Sequence, residues 1–148
     1  RRARSATTSM RVAEHNPVVV EWCEGPLAPL IADAARDPRV TMVIEDVAVL
    51  IADVARRADV RRFHAIVLDM YEGPQTHVRP SDPLYGPLAL KRTRKALAPG
   101  GVLAVWCEGP SAGFERSLRA AGFDYRVQRS GRGGRIHHVY VARASRGG

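Results

Sequence analysis

The stretch FHAIVLDMY, Phe63–Tyr71, runs apolar almost without a break up to Asp69. A strand wet on one face alternates polar with apolar residues, whereas a continuous run suits a parallel strand covered by helices on both faces. The flanking segments agree. Upstream, VAVLIADVARRA (47–58) sets Val47, Leu50, Ile51 and Val54 along one helical stripe at spacings of three and four. Before it, RVTMVIED (39–46) reads as a buried strand that ends in two carboxylates. Downstream, the turn-rich loop EGPQTHVRPSDP (72–83) leads to a helix over about 84–97. Its pattern points Tyr85, Leu88, Ala89, Ala96 and Leu97 inward and Lys91, Arg92, Arg94 and Lys95 outward.

The remaining segments continue this rhythm. APGG closes the helix and VLAVWCE forms the next strand. Ser111 can cap a further helix, with Phe114, Leu118 and Ala121 toward the core and Gly122 as a left-handed stop. FDYRVQR and IHHVYVAR then make a β-hairpin about the turn SGRGG (130–134). At the other end, RRARSATTS (1–9) is polar and aperiodic, which predicts a frayed start, and MRVAEH alternates as a strand does. NPVVVEWCEGP holds three valines that favour a strand. Asn16 as cap, Pro17 at the first helical position and Gly25-Pro26 as stop predict instead a helix over 17–24. Strand and helix alternate and a hairpin closes the chain. The expectation is an α/β fold with a mostly parallel sheet and one antiparallel edge strand, one domain over residues 10–143 with a tail at 144–148.

Two internal echoes have this structural explanation. WCEGP occurs at 22–26, ending a helix, and at 106–110, leaving a strand, so it is not one functional module. IADAARDPRV (31–40) and IADVARRADV (51–60) each read as helix-like sequence feeding the next parallel strand.

Bulk composition excludes several classes. With 148 residues, 45% hydrophobic and 26% charged, the chain is long enough for a real core. No apolar run reaches membrane-spanning length and no signal peptide is evident, so a cytoplasmic protein with reduced Cys23 and Cys107 is expected. The net charge of +8 invites nucleic acid as a partner. However, all but Lys91 and Lys95 of the 23 basic residues are Arg, they scatter along the chain, and few aromatics interleave with them. Nucleic-acid binding is therefore not expected.

Chemistry in an open α/β sheet gathers beyond the carboxyl ends of its strands. Here those ends carry Glu14, then Glu45 and Asp46, then Asp69 with Glu72, and finally Glu108. Any one such acid can simply cap a helix or face water, but the group of them suits a cation, an amine or ribose hydroxyls. It does not suit a phosphate, and no glycine-rich phosphate cradle is present, since the GRGG at 131–134 lies in the hairpin. His15 and His77 have no partner at metal spacing, so no metal site is expected. Adjacent His137 and His138 point to opposite faces of a strand, placing at least one at the surface. Cys107 reads as a buried structural thiol, and Tyr71 and Tyr85 as pocket or core residues.

Taken in order, VAEHNPVVVEW, DPRVTMVIEDVAVLI, FHAIVLDMYEGP, LYGPLALKRTRKALAPGGVLAVW and RAAGFDYRVQR resemble the C-terminal part of the spermidine synthase family. That family has the Rossmann-like fold of class I methyltransferases. The resemblance implies transfer of an aminopropyl group from decarboxylated S-adenosylmethionine to an amine. Donor and acceptor would be small-molecule partners, with no permanently bound cofactor. Glu14 would hold the ribose hydroxyls and Asp46 the adenine amino group. Asp69, matching the first acid of a D-x-x-D-P segment, would take the proton of the attacking amine. Glu72 would steady the amine chain. From their places in the chain alone, Tyr71, Tyr85 and Glu108 are candidates for the substrate pocket. A homodimer is one assembly the resemblance admits. S-adenosylmethionine-dependent methyl transfer and a non-catalytic binding module are the alternatives.

The sequence also departs from the family. It has no counterpart of the N-terminal β-domain, of the first strand or of the glycine-rich loop after it. Glu45 stands where Gly is usual, Asn16 where an acid is common, and Glu72-Gly73 where Asp-Pro is. The expectation is half a donor site, inactive alone. The strands ending at Glu14 and Asp69 must then pair directly, or the sheet must be completed by absent residues or another chain.

Overall fold

The computed structural model describes residues 8–131 and 136–145. Most of the predicted frayed start, most of the SGRGG turn and the last three residues lie outside them. The chain forms two compact units, divided between Leu50 and Ile51. None of the described helices is long and apolar enough to cross a membrane.

In the first unit, strand β1 (Met10–Glu14) leads to helix α1 (Pro17–Glu24). The cap decides against the valines' strand preference: Asn16 Oδ1 accepts the Val18 amide at 3.0 Å, and Pro17 supplies a helical φ. Strand β2 (Val40–Ile44) pairs with β1 in parallel, from Met10 with Val40 to Glu14 with Ile44. Between α1 and β2 the chain differs from the expected helix-like run. Residues 28–31 and 34–36 form two short 3-10 turns, separated by Ala32 and Asp33 at φ of 50° and 55°. Pro29 and Pro38 bracket the segment, and Pro38 forces Asp37 into an extended conformation. The division between units falls inside helix α2 (Val47–Arg56), where Ile51 and Val54 are buried.

The second unit holds a four-stranded sheet, flanked in sequence by α3 (Pro87–Ala96) and α4 (Ala112–Ala120). Its strands are β3 (Phe63–Leu68), β4 (Leu97–Cys107), β5 (Phe123–Ser130) and β6 (His137–Ala144), in the order β3-β4-β6-β5. Strands β3 and β4 are parallel, and β6 is antiparallel to both β4 and β5. The antiparallel strand is thus interior, not at the edge as expected, because the hairpin folds back and inserts β6 beside β4. Strands β1 and β2 form a two-stranded sheet of their own. Within the four-stranded sheet, β3 and β5 each have one neighbour among the described residues, and Val67 on β3 is 68% exposed.

Helix α3 begins three residues later than the apolar pattern suggested. Asp82 Oδ1 accepts the amides of Leu84 and Tyr85 at 2.9 and 2.7 Å, which ties those residues into a turn, and Pro87 opens the helix. Leu90 and Thr93 therefore face inward with Ala89 and Ala96, while Leu88 is 61% exposed, contrary to expectation. APGG does not separate helix from strand either, since β4 starts at Leu97 and takes up the extra residues in a register shift opposite Phe63–Ala65.

The core of this unit centres on Phe114, whose ring meets Tyr85 and Tyr140 edge-on at 5.6 and 5.1 Å. Leu90, Leu103, Val105 and Leu118 complete it, each buried side chain contributing about 1.5–3 kcal/mol. As expected, Ser111 caps α4 by accepting the Phe114 amide at 3.1 Å, and Gly122 takes a φ of 77° at its end. Tyr140 Oη accepts the Ser111 amide at 2.8 Å and donates to Glu115 Oε1 at 2.9 Å. Tyr125 donates to the other oxygen of Glu115 at 2.8 Å and accepts from Arg119. Replacing Tyr140 by Phe strands the buried Ser111 amide and removes a donor from Glu115. A loss of about 1–2 kcal/mol is expected in urea unfolding, with less for Tyr125→Phe, which is more exposed.

Candidate functional site

Parallel pairing of β3 with β4, with Leu68 opposite Val105, brings the exits of these two strands side by side. The residues that follow them enclose an open hollow of about 720 Å³, into whose wall Asp69, Tyr71, Glu72, Trp106 and Glu108 all contribute. Three carboxylates thus share one concavity with two aromatic residues. Asp69 and Glu72 are exposed, and Tyr71 is 98% exposed. Tyr85 does not line the hollow: it is buried, and its hydroxyl donates to the Glu72 carbonyl at 3.4 Å, under the loop.

The loop from Asp69 to Thr76 is held by the strand and helix behind it. Ser111 Oγ donates to the Gln75 carbonyl at 2.6 Å, and the Gly113 amide reaches the Thr76 carbonyl at 3.3 Å. At Gly73 the backbone presses against β4, where a Cβ would lie 2.7 Å from the Trp106 carbonyl oxygen and 2.9 Å from Cys107 Cα. The Ser111–Tyr140–Glu115 connection therefore supports the acidic hollow. It was not evident from the sequence, where Ser111 read only as a helix cap. Trp106 and Gln75 were missed as well; the only trace of Trp106 was its place just before a strand end.

Cys107 lies buried below this loop, its thiol donating to the His138 carbonyl at 3.5 Å, in keeping with a structural role. Burial pushes its pKa above the ordinary 9.0. Tyr85 is pushed up to about 12, first by burial and then by the Asp82 carboxylate and Cys107. Both groups stay protonated in the folded chain at pH values where the unfolded chain loses those protons. The folded state then binds more protons, so stability is intact below about pH 9 and falls as pH rises toward 12. Urea midpoints measured from pH 8 to 11 should decline monotonically. His137 and His138 are both half-buried, where the alternation placed at least one at the surface. The His137 ring stacks at a tilt on Trp106, with centroids 5.1 Å apart.

In the first unit, Glu14 and Asp46 occupy the ends of β1 and β2. Glu14 Oε1 accepts the Asn16 amide at 2.8 Å, and Asp46 Oδ1 accepts the Ala48 amide at 2.7 Å. One oxygen of each is thus committed to starting the following helix.

Three-dimensional comparison places this arrangement. Human methyltransferase-like protein 13 in complex with SAH superposes with a TM-score of 0.64 at 20% identity, covering 89% of this chain and 60% of that one. Spermidine synthase from Thermotoga maritima gives 0.67 at 18% identity, over 93% of this chain and 46% of the other. The chain shares the Rossmann-like α/β fold of these neighbours. The O-methyltransferase TomG from Streptomyces achromogenes, in complex with SAM, shares it at 0.57 and 14% identity, over 93% and 62%. No protein-family model matches the chain, and no curated protein matches it. The chain spans about half the length of the first neighbours, 45% to 60%. Within this fold, the hollow lies at the carboxyl ends of two parallel strands, where α/β sheets place their ligands.

Proposed function

We propose that this chain serves transfer of an aminopropyl group from a decarboxylated S-adenosyl sulfonium donor to an amine. The observation that carries the reading is the meeting of Asp69, Glu72 and Glu108 around one hollow. A sulfonium donor and an aliphatic amine are both cationic, and a carboxylate-lined concavity attracts both. An aliphatic amine is protonated at neutral pH and cannot attack until its proton is removed. Asp69 is assigned that task, and Glu72 the far, charged end of the amine. The amine nitrogen forms a bond to the carbon beside the sulfonium sulfur. The carbon–sulfur bond breaks with its electron pair moving to sulfur, which leaves as a neutral thioether, and the nitrogen's proton passes to Asp69. Glu14 and Asp46 are assigned the ribose hydroxyls and the adenine amino group, through the oxygens not engaged by the Asn16 and Ala48 amides.

Methyl transfer is the second reading, favoured by neighbours of the same fold whose structures hold SAH or SAM. It needs a place for the donor's carboxylate, which the acids of this hollow repel. Calorimetric titration of the protein with decarboxylated S-adenosylmethionine, methylthioadenosine and S-adenosylmethionine separates the two. Saturable binding of the first two, with S-adenosylmethionine weaker, is the expected result. Tight S-adenosylmethionine binding without the decarboxylated donor would establish methyl transfer, and no binding of any would leave a non-catalytic module.

A further inference from the structure

The net charge of +8 is not used by an acidic site, and part of it gathers elsewhere. The last turns of α3 and α4 bound a second hollow of about 540 Å³, walled by Lys91, Arg94, Lys95 and Arg119 with the small Ala121 and Gly122. Arg119 is already engaged, 3.7 Å from Glu115 and donating to Tyr125. Lys91, Arg94 and Lys95 have no ion-pair partner among the described residues. Gly122 leaves room for one of these cations: a Cβ there would stand 2.8 Å from Arg94 Nη1 and 3.2 Å from its Cζ.

Cations at helix C-termini ordinarily answer the helix dipole. Each terminus presents roughly half a negative charge, so two account for about one cation and leave most of this cluster unanswered. Glu115 adds one carboxylate, which already receives two tyrosine hydroxyls. Arginine forks grip phosphoryl oxygens in pairs and lysines add point charges. The volume lies within the roughly 300–1,000 Å³ of small-molecule sites. No aromatic ring among the described residues lines it, so a nucleic-acid strand would find no stacking platform there. We propose that this α3–α4 hollow binds a small anion carrying two or more phosphoryl groups, separately from the acidic hollow.

The probe is sodium pyrophosphate, titrated calorimetrically into the full chain at low ionic strength, with inorganic phosphate and a single-stranded oligonucleotide as comparison arms. One saturable pyrophosphate site, tighter than phosphate, is expected. It should weaken at least tenfold in Arg94→Gln/Lys95→Gln and also in Lys91→Gln/Lys95→Gln, which keeps the Arg94 packing on Gly122. The control Arg126→Gln/Arg129→Gln, on exposed positions of β5, removes the same charge elsewhere and should leave binding unchanged. Circular dichroism confirms that each variant is folded. No saturable binding overturns the proposal, as does equal weakening in the control, which would mean net charge alone. An oligonucleotide that binds more tightly and displaces pyrophosphate overturns it in favour of nucleic acid.

Discussion

If the proposed aminopropyl transfer holds, Asp69→Asn is expected to lower turnover by roughly 10²- to 10⁴-fold, the usual contribution of a positioned general base. The change is nearly isosteric at an exposed position, so the fold should be unaffected. Asparagine keeps a carbonyl oxygen that can accept a hydrogen bond from the ammonium but cannot take its proton at neutral pH. Donor binding should persist, and the loss should fall on kcat. Raising the pH toward the amine's own pKa should recover part of the rate in the variant, since solvent then supplies neutral amine. Steady-state kinetics against pH for both proteins make the comparison. Unchanged turnover at neutral pH would remove Asp69 from the mechanism.

A second large effect is expected from Gly73→Ala, through packing and not charge. The added methyl would meet the Trp106 carbonyl oxygen at 2.7 Å and the Cys107 backbone at 2.9 Å. Both contacts are backbone atoms of a central strand, so no flexible side chain can move aside. The loop carrying Asp69 and Glu72 must lift from β4, or β4 must distort. A loss of about 3 kcal/mol is expected, at the upper end of overpacking costs. For a unit of about a hundred residues that lowers Tm by roughly 10–20 °C, measurable by differential scanning calorimetry. Gly109 lines the same hollow but has open space around its missing Cβ. Gly109→Ala should be nearly silent, which separates steric contact from any general intolerance of the site.

Several elements were legible locally because their determinants are local. Asn16 with Pro17 set the start of α1, and Ser111 and Gly122 set the two ends of α4, each through groups within a few residues. The reading failed where a short-range competitor for the backbone overrode the apolar pattern. Leu84 and Tyr85 opened the expected helix, but the Asp82 carboxylate claimed their amides for a turn. The 31–40 segment copied the helical lettering of 51–60, yet Pro38 and the left-handed pair Ala32 and Asp33 broke it into turns.

By itself the sequence determined the alternation of strand and helix, and the presence of an acid just past each parallel strand, because periodicity and capping are properties of short stretches. Which acids share a cavity was decided only by tertiary pairing. The register of β3 on β4 sets Asp69 and Glu72 beside Glu108, and the descent of the loop onto Cys107 shapes the hollow between them. Likewise, the scattered lysines and arginines of α3 and α4 became one cationic hollow only through the packing of two helices. A strand end fixes where its own next side chain begins; proximity to another strand's end is a long-range contact that no local pattern encodes.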